Sequence, residues 1–278
     1  MMIKDMLLNL SWGTKEDPTI DYAVSLAGTF GARLVGIALA YDDVPVVLDD
    51  GASGQWVGGI EELRREIADA VKAATAKFDE AARSAGLRAQ SRALSTAFWN
   101  AGHEFGRLAR RFDLAVVRQA EAKSGRSDNL IIQAALFDSG RPVLVVPRAQ
   151  KGRAQFDRVM ICWDGSRGAA RAVADALPFL QRAKAIDLVT IGDRSKSDET
   201  SGADMVDHLA CHGVKATEKL LLAPDADIPH TILSHAADSS ADLVVMGGYG
   251  HSRFREFVLG GATRGILAEM ATPTLMSH

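Results

Sequence analysis

Asp242-Leu-Val-Val-Met-Gly-Gly-Tyr-Gly-His-Ser-Arg-Phe-Arg-Glu-Phe-Val-Leu-Gly-Gly-Ala-Thr-Arg-Gly-Ile266 decides how the chain is read. Its apolar run Leu243 to Met246 is short, β-branched at its centre and stopped by Gly247, which reads as a buried strand. Glycines at 247, 248 and 250 follow, and a second pair at 260 and 261 opens a helical pattern. Glycine lets the backbone come close to a ligand, and main-chain N–H groups converging at a helix start hold phosphate oxygens without a charged side chain. Gly247, Gly250, Gly260 and the Gly261 amide therefore read as a phosphate cradle. Two tight turns packing helices onto a sheet account for the same glycines, and spacing alone leaves both readings open. The spacing is not that of the dinucleotide fingerprint, whose glycines fall within six residues, nor of a P-loop, which needs Gly-Lys-Ser/Thr.

Gly247, two residues, Gly250, nine residues and Gly260 with a small residue next resembles the nucleotide-binding signature of the universal stress protein family. The family usually has Ser or Thr after the last glycine, and this chain has Gly261, which removes one hydroxyl donor but keeps the amide. Met160-Ile-Cys-Trp-Asp164-Gly165-Ser166 matches the family's strand ending in Asp-Gly-Ser, and Thr272-Pro273-Thr274-Leu275-Met276 looks like its last strand. The resemblance covers the second half. It implies an α/β Rossmann-like fold with a parallel five-stranded sheet of order 3-2-1-4-5, and an adenine nucleotide, ATP or a relative, as ligand. It also implies that Ile191 borders the adenine and that Gly165 and Ala262 flank the contacts of Asp164 and Gly261.

A chain of 278 residues is long enough for two domains. A formal charge of -3 and a pI near 6.2 supply no global positive field for nucleic acid. The two cysteines make no disulfide framework, and Cys162, inside an apolar strand pattern, reads as a small core residue. The first residues are too short and interrupted for a signal peptide, and nothing approaches the roughly 18 apolar residues of a membrane span. The expectation is a cytoplasmic protein without a membrane partner.

Strand and helix patterns alternate along the chain. Met6 to Leu10, Arg33 to Leu39, Arg88 to Leu94, Leu114 to Val117 and Pro142 to Val146 read as strands, separated by helices that include Pro18 to Phe30 and Glu61 to Ala85. Tyr41 to Gly59 is long for a connection and reads as a loop, lid or contact surface. Pro147 to Gln155 is polar and reads as a linker. The cycle then restarts with a period of about 150 residues, so the chain reads as a tandem duplication with domains at 1–148 and 154–278. Phe112-Asp-Leu-Ala-Val-Val pairs with Ala241-Asp-Leu-Val-Val-Met, and Arg141-Pro-Val-Leu-Val-Val with Thr272-Pro-Thr-Leu-Met-Ser. Two sheets are expected, and a single sheet or halves of different topology would count against duplication. The resemblance further implies that the strands near 143–146 and 273–276 meet across a pseudo-twofold axis.

Laying the copies over one another puts Ser11-Trp12-Gly13 where Asp164-Gly165-Ser166 stands, and Arg118 to Asn129 where the second copy has its glycines. The first site therefore reads as degenerate and 118–129 as a solvated loop, although Arg118, Lys123 and Arg126 leave an alternative phosphate cradle open. Asp164 suits hydrogen bonds from ribose or an adenine amino group, or simply caps a turn. His251, Ser252, Arg253 and Arg255 can reach outer phosphates, or else the arginines pair with Glu256 or Asp242. His208 and His212 lack the glutamate of a zinc-protease motif and read as surface or capping residues. No nucleophile and base announce themselves, and no metal-ligand set is named; Mg2+ would come with the phosphates. The leading expectation is a stress-response or regulatory nucleotide binder. A slow adenine-nucleotide hydrolase and a ligand-free protein interaction module are the alternatives. Homodimerisation and unidentified protein partners stay open.

Overall fold

A computed structural model describes residues 2–12, 17–42, 56–121, 128–192, 201–222, 228–248 and 261–278, with backbone alone at 56–60, 261 and 262. The first half runs β1 (Asp5–Asn9), α1 (Pro18–Phe30), β2 (Arg33–Tyr41), α2 (Trp56–Ser84), β3 (Ala89–Thr96), a 3-10 turn (Phe98–Asn100), α3 (Ala101–Ala109), β4 (Leu114–Arg118), α4 (Asp128–Phe137) and β5 (Val143–Val146). The second runs β6 (Arg158–Cys162), α5 (Arg167–Leu180), β7 (Ala185–Ile191), α6 (Gly202–Cys211), β8 (Thr217–Leu221), α7 (Ile228–Asp238), β9 (Leu243–Gly247), α8 (Gly261–Glu269) and β10 (Thr274–Ser277). Of the long 41–59 stretch, 43–55 lies outside the described residues, and α2 starts five residues before the apolar periodicity announces it.

Local chemistry sets the helix ends. Asp17 caps α1 by accepting the Thr19 amide at 3.0 Å, Pro18 supplies a preset φ in the first turn, and Gly31 ends the helix in the left-handed region at φ 58°. Ser166 does the same for α5, its Oγ accepting from the Ala169 amide at 3.1 Å. The strands at the centre of each half are apolar on both faces because helices cover both.

Strand order is β3-β2-β1-β4-β5-β10-β9-β6-β7-β8, a single sheet of ten strands. Each half, counted from its own first strand, has the order 3-2-1-4-5 with every neighbour parallel. The two expected sheets are thus joined into one. The joint is antiparallel, with Val145 opposite Thr274 and Val143 opposite Met276. Duplication stands, because the halves share one topology and the sheet is continuous only where their fifth strands pair.

The repeated Asp-Leu landmarks do the same work twice. Asp113 Oδ2 accepts the Lys4 and Asp5 amides at 2.8 and 3.0 Å, and Asp242 Oδ2 accepts the Arg158 amide at 2.9 Å. Each carboxylate ties the start of a fourth strand to the first. Asp242 is therefore at the end of β9 away from the glycine loop and is engaged there, which removes it as a partner for the loop arginines.

Alternate strand residues feed two cores, and each core runs across the joint. One holds Leu8, Val116, Leu144, Val245 and Leu275 under α1, α2 and α5. The other holds Leu7, Val117, Val145, Val244 and Met276 under α3, α4, α7 and α8. Phe156 follows directly on the polar connection 147–155 and is buried. Its ring stacks on Phe30 of α1 at 5.8 Å and meets Phe179 of α5 edge-on at 5.4 Å. Burying such a ring contributes about 1.5–3 kcal/mol, so the connection is fastened into the core.

Candidate functional site

In the second half, β7, β6 and β9 lie side by side, and their carboxyl ends define the crevice where open α/β sheets take ligands. Asp164 stands just past β6 and is exposed. Its Oδ1 accepts the Ser166 amide at 3.0 Å, so the turn-capping role is formed. Among the described residues, Asp164 Oδ2 has no hydrogen-bond partner. Gly165 turns the chain with φ 71° and adds no side chain over the crevice. Ile191, at the end of β7, is half-buried against the second core, which leaves its outer surface at the crevice. Gly192 follows with φ 138° and open space where a Cβ would be.

Gly247 ends β9, and there the packing reading of the glycines is the one realised. A Cβ at this position would lie 2.6 Å from the Ala169 amide nitrogen and 2.7 Å from the Gly168 carbonyl carbon, so Gly247 lets β9 touch the start of α5. Gly248 is crowded from the other side, since its Cβ would meet Leu136 Cδ2 of α4, in the first half, at 2.6 Å. Gly250, His251, Ser252 and Gly260 lie outside the described residues, as do Arg253 and Arg255. Gly261 opens α8 and Ala262 follows it in the first turn. Neither α5 nor α8 has an acidic residue in its first turn, and the carboxylate next to the start of α5 is Asp164 itself.

The first half offers a direct control. Leu10 N donates to Ile37 O and Trp163 N to Val189 O, both at 2.8 Å, so Leu10 matches Trp163 and Ser11 matches Asp164. Trp12 then stands where the second half has Gly165. Its indole Nε1 donates to Leu39 O at 2.6 Å, and its ring meets Tyr41 at 5.2 Å. By the same register Leu39 matches Ile191, so an indole fills the space beside the second strand. What is left is a cavity of about 30 Å³ lined by residues including Ser11, Trp12 and Asp128, room for about one water.

Strand register also matches Arg118 with Gly247 and Gln119 with Gly248. The solvated-loop reading fails at both: Arg118 is 7% exposed and Gln119 4%. Arg118 Nε and Nη1 have no hydrogen-bond partner among the described residues. Asp128 in the first turn of α4, and Asp17 and Asp21 at the start of α1, put carboxylates at both helix starts that face this end of the sheet.

The sequence profile of the universal stress protein family matches residues 155–278. The second half of the chain is therefore similar in sequence to the universal stress protein family. The first half shares its topology. A universal stress protein from Archaeoglobus fulgidus DSM 4304 is 15% identical, aligned over 99% of this chain and 96% of that one, with a TM-score of 0.70. A Pseudomonas aeruginosa PAO1 protein of unknown function is 13% identical over 98% and 92%, with a TM-score of 0.61. Those likenesses concern the tandem universal stress protein fold. No curated protein matches the sequence.

Among the described residues, no group of three His, Cys, Asp or Glu side chains is placed to hold a metal ion, and no helix is long and apolar enough to cross a membrane. His208 and His212 lie ring to ring at 4.9 Å, and His212 is the C-cap of α6. Cys162 is half-buried below Asp164, and burial, reinforced by the Asp164 charge, pushes its thiol up to about 12.

Proposed function

We propose that the second domain binds an adenine nucleotide, with ATP the leading candidate, and that the protein acts as a nucleotide-dependent regulator in the stress response. The observation that supports this reading is that β7, β6 and β9 are neighbours, so that Ile191 and Gly192, Asp164 and the end of β9 share one sheet edge, while the first turn of α8 carries no acidic residue. Asp164 would accept from the ribose or the adenine amino group through Oδ2. Ile191 would border the ring, and the Gly261 end of α8 would face the phosphates. These residues fit a nucleotide because the crevice combines an exposed carboxylate, a side-chain-free turn at Gly165 and a helix whose first turn carries no acidic residue. Mg2+ would enter on the phosphates, neutralising them when bound.

Calorimetric titration with ATP, alongside melting curves, tests this. One site per chain is expected. Asp164→Ala removes a charged acceptor worth roughly 1.5–3 kcal/mol, so affinity falls about tenfold to a hundredfold. Ser11→Ala in the first domain leaves it unchanged. Two equal sites, or full affinity in folded Asp164→Ala protein, would overturn the proposal. Phosphate release above a protein-free control would move the reading to a slow hydrolase.

A further inference from the structure

We infer that the first domain holds the phosphate end of the second domain's site in place, with Gln119 as its positioning residue. The inference rests on the proposed nucleotide site and names how that site is regulated from the other domain.

A helix leaves its last carbonyls without partners inside the helix, and whatever accepts that role fixes where the helix ends. At the end of α8, Gln119 Nε2 donates to Leu267 O at 3.0 Å and to Ala268 O at 3.2 Å. The same amide is saturated on its other side. Its Oε1 accepts from the Arg148 amide at 3.1 Å, and its backbone N–H donates to Val146 O at 2.8 Å. Buried and fully bonded, Gln119 links β4, β5 and the interdomain connection to the C-terminal end of α8. Along its length α8 has little slack, because a Cβ on Gly265 would lie 2.9 Å from the Pro229 ring of α7. A helix held at one end and along one side transmits a shift to its other end, which is Gly261.

The opposite end of the 249–260 connection is held from the first domain too. Within its own domain Gly248 donates its N–H to Ser277 O at 2.8 Å and has His278 Nδ1 at 2.9 Å from its carbonyl oxygen, and toward the first domain it lies so near Leu136 of α4 that a Cβ would come within 2.6 Å. The His278 ring in turn packs edge-on against Phe137 of α4 at 4.9 Å. Both anchor points of the connection, Gly248 and Gly261, therefore depend on first-domain residues. Gln119 occupies the register position of Gly248, so the first domain uses its matching loop start to cap the second domain's helix.

Two variants test this on the full chain. Gln119→Glu keeps the acceptor for Arg148 and loses both donors to α8; Gln119→Leu removes donors and acceptor together. Hydrogen exchange of the α8 amides is the deciding measurement. In the glutamate variant faster exchange is expected from the last turn back to the Gly261 end, and loosening confined to 267–270 would overturn the inference. ATP affinity should fall about twofold to thirtyfold while adenosine affinity holds, because the base end is built from β6 and β7. Equal losses for both ligands would overturn the phosphate-end assignment. Wild-type protein that binds no ATP would defeat the proposed function, and the exchange result would still decide whether Gln119 sets the position of α8.

Discussion

The two domains place the same backbone at the same sheet ends and close it in opposite ways. In the second, Gly165 and Gly247 remove side chains, α5 and α8 begin without acidic residues in their first turns, and Asp164 is exposed. In the first, Trp12 fills the space beside Leu39, Arg118 lies buried at the end of β4, and Asp17, Asp21 and Asp128 offset the helix starts. One topology therefore carries a filled strand end in one domain and a less crowded one in the other. The difference lies in a few side chains at strand ends, and it has two parts: volume, supplied by an indole, and charge, supplied by carboxylates at helix dipoles.

The largest effect is expected at Gly247. Gly247→Val pushes a branched side chain into the backbone of Gly168 and Ala169, and overpacking of this kind costs about 1–3 kcal/mol or more. Thermal melting should fall by several degrees before any ligand is added, on the order of 2–4 °C per kcal/mol for a chain of this size. An unchanged melting temperature would show that β9 and α5 separate readily, and Gly247 would return to being read as a ligand-approach position.

Arg118, its register partner, should respond in the opposite sense. A buried guanidinium with two unpartnered nitrogens costs desolvation without return, so Arg118→Leu is expected to leave stability unchanged or raise it by about 1–3 kcal/mol. Chemical denaturation reads this directly. A clear loss of stability would mean that Arg118 has a partner in solution, and the contrast between a filled and an open crevice would need redrawing.

The smallest effect separates the two cysteines. Cys162 has its thiol pushed up to about 12, whereas Cys211 is exposed. At pH 8 a disulfide reagent should titrate one thiol per folded chain and two after denaturation. Since the folded value lies above the 9.0 of an ordinary thiol, the neutral thiol is the form that folding favours. Its contribution is complete below about pH 9 and is lost as pH rises toward 12. Asp164→Asn should lower the pH at which Cys162 begins to react. Two fast-reacting thiols at pH 8 would contradict the burial that separates Cys162 from the crevice above it.

Much of the architecture is legible in the chain because period and punctuation survive in it. Alternation of apolar runs with helical stretches places the strands, Gly31 and Gly86 mark helix ends, and the two Asp-Leu landmarks align the copies at carboxylates that the structure shows doing the same job. What the sequence conceals is long-range. Gln119 looks like one polar residue in a polar stretch, and only the fold brings the end of α8 within its reach. Phe156 sits in a stretch whose preceding residues are polar, yet its docking surface is made by α1 and α5 from different domains. Gly247 is visible as a glycine, but whether ligand or helix backbone approaches it depends on how closely α5 packs. Trp12 carries a signal that pattern matching undervalues: the bulkiest side chain at the register position of a glycine. Asp164 was readable as a crevice residue from its motif, with the turn cap and the available oxygen both present.

The antiparallel joint has a consequence for how the protein is made. β10 is synthesised after the nine strands around it, yet it lies in the middle of the sheet between β5 and β9. Until it emerges from the ribosome, the first domain presents Val143–Val146 as an unpaired, wholly apolar edge, and β9 is open as well. Completion of one short strand seals both edges at once, so the nascent chain is most vulnerable to mispairing with its neighbours on the polysome in the interval between the synthesis of β9 and that of β10.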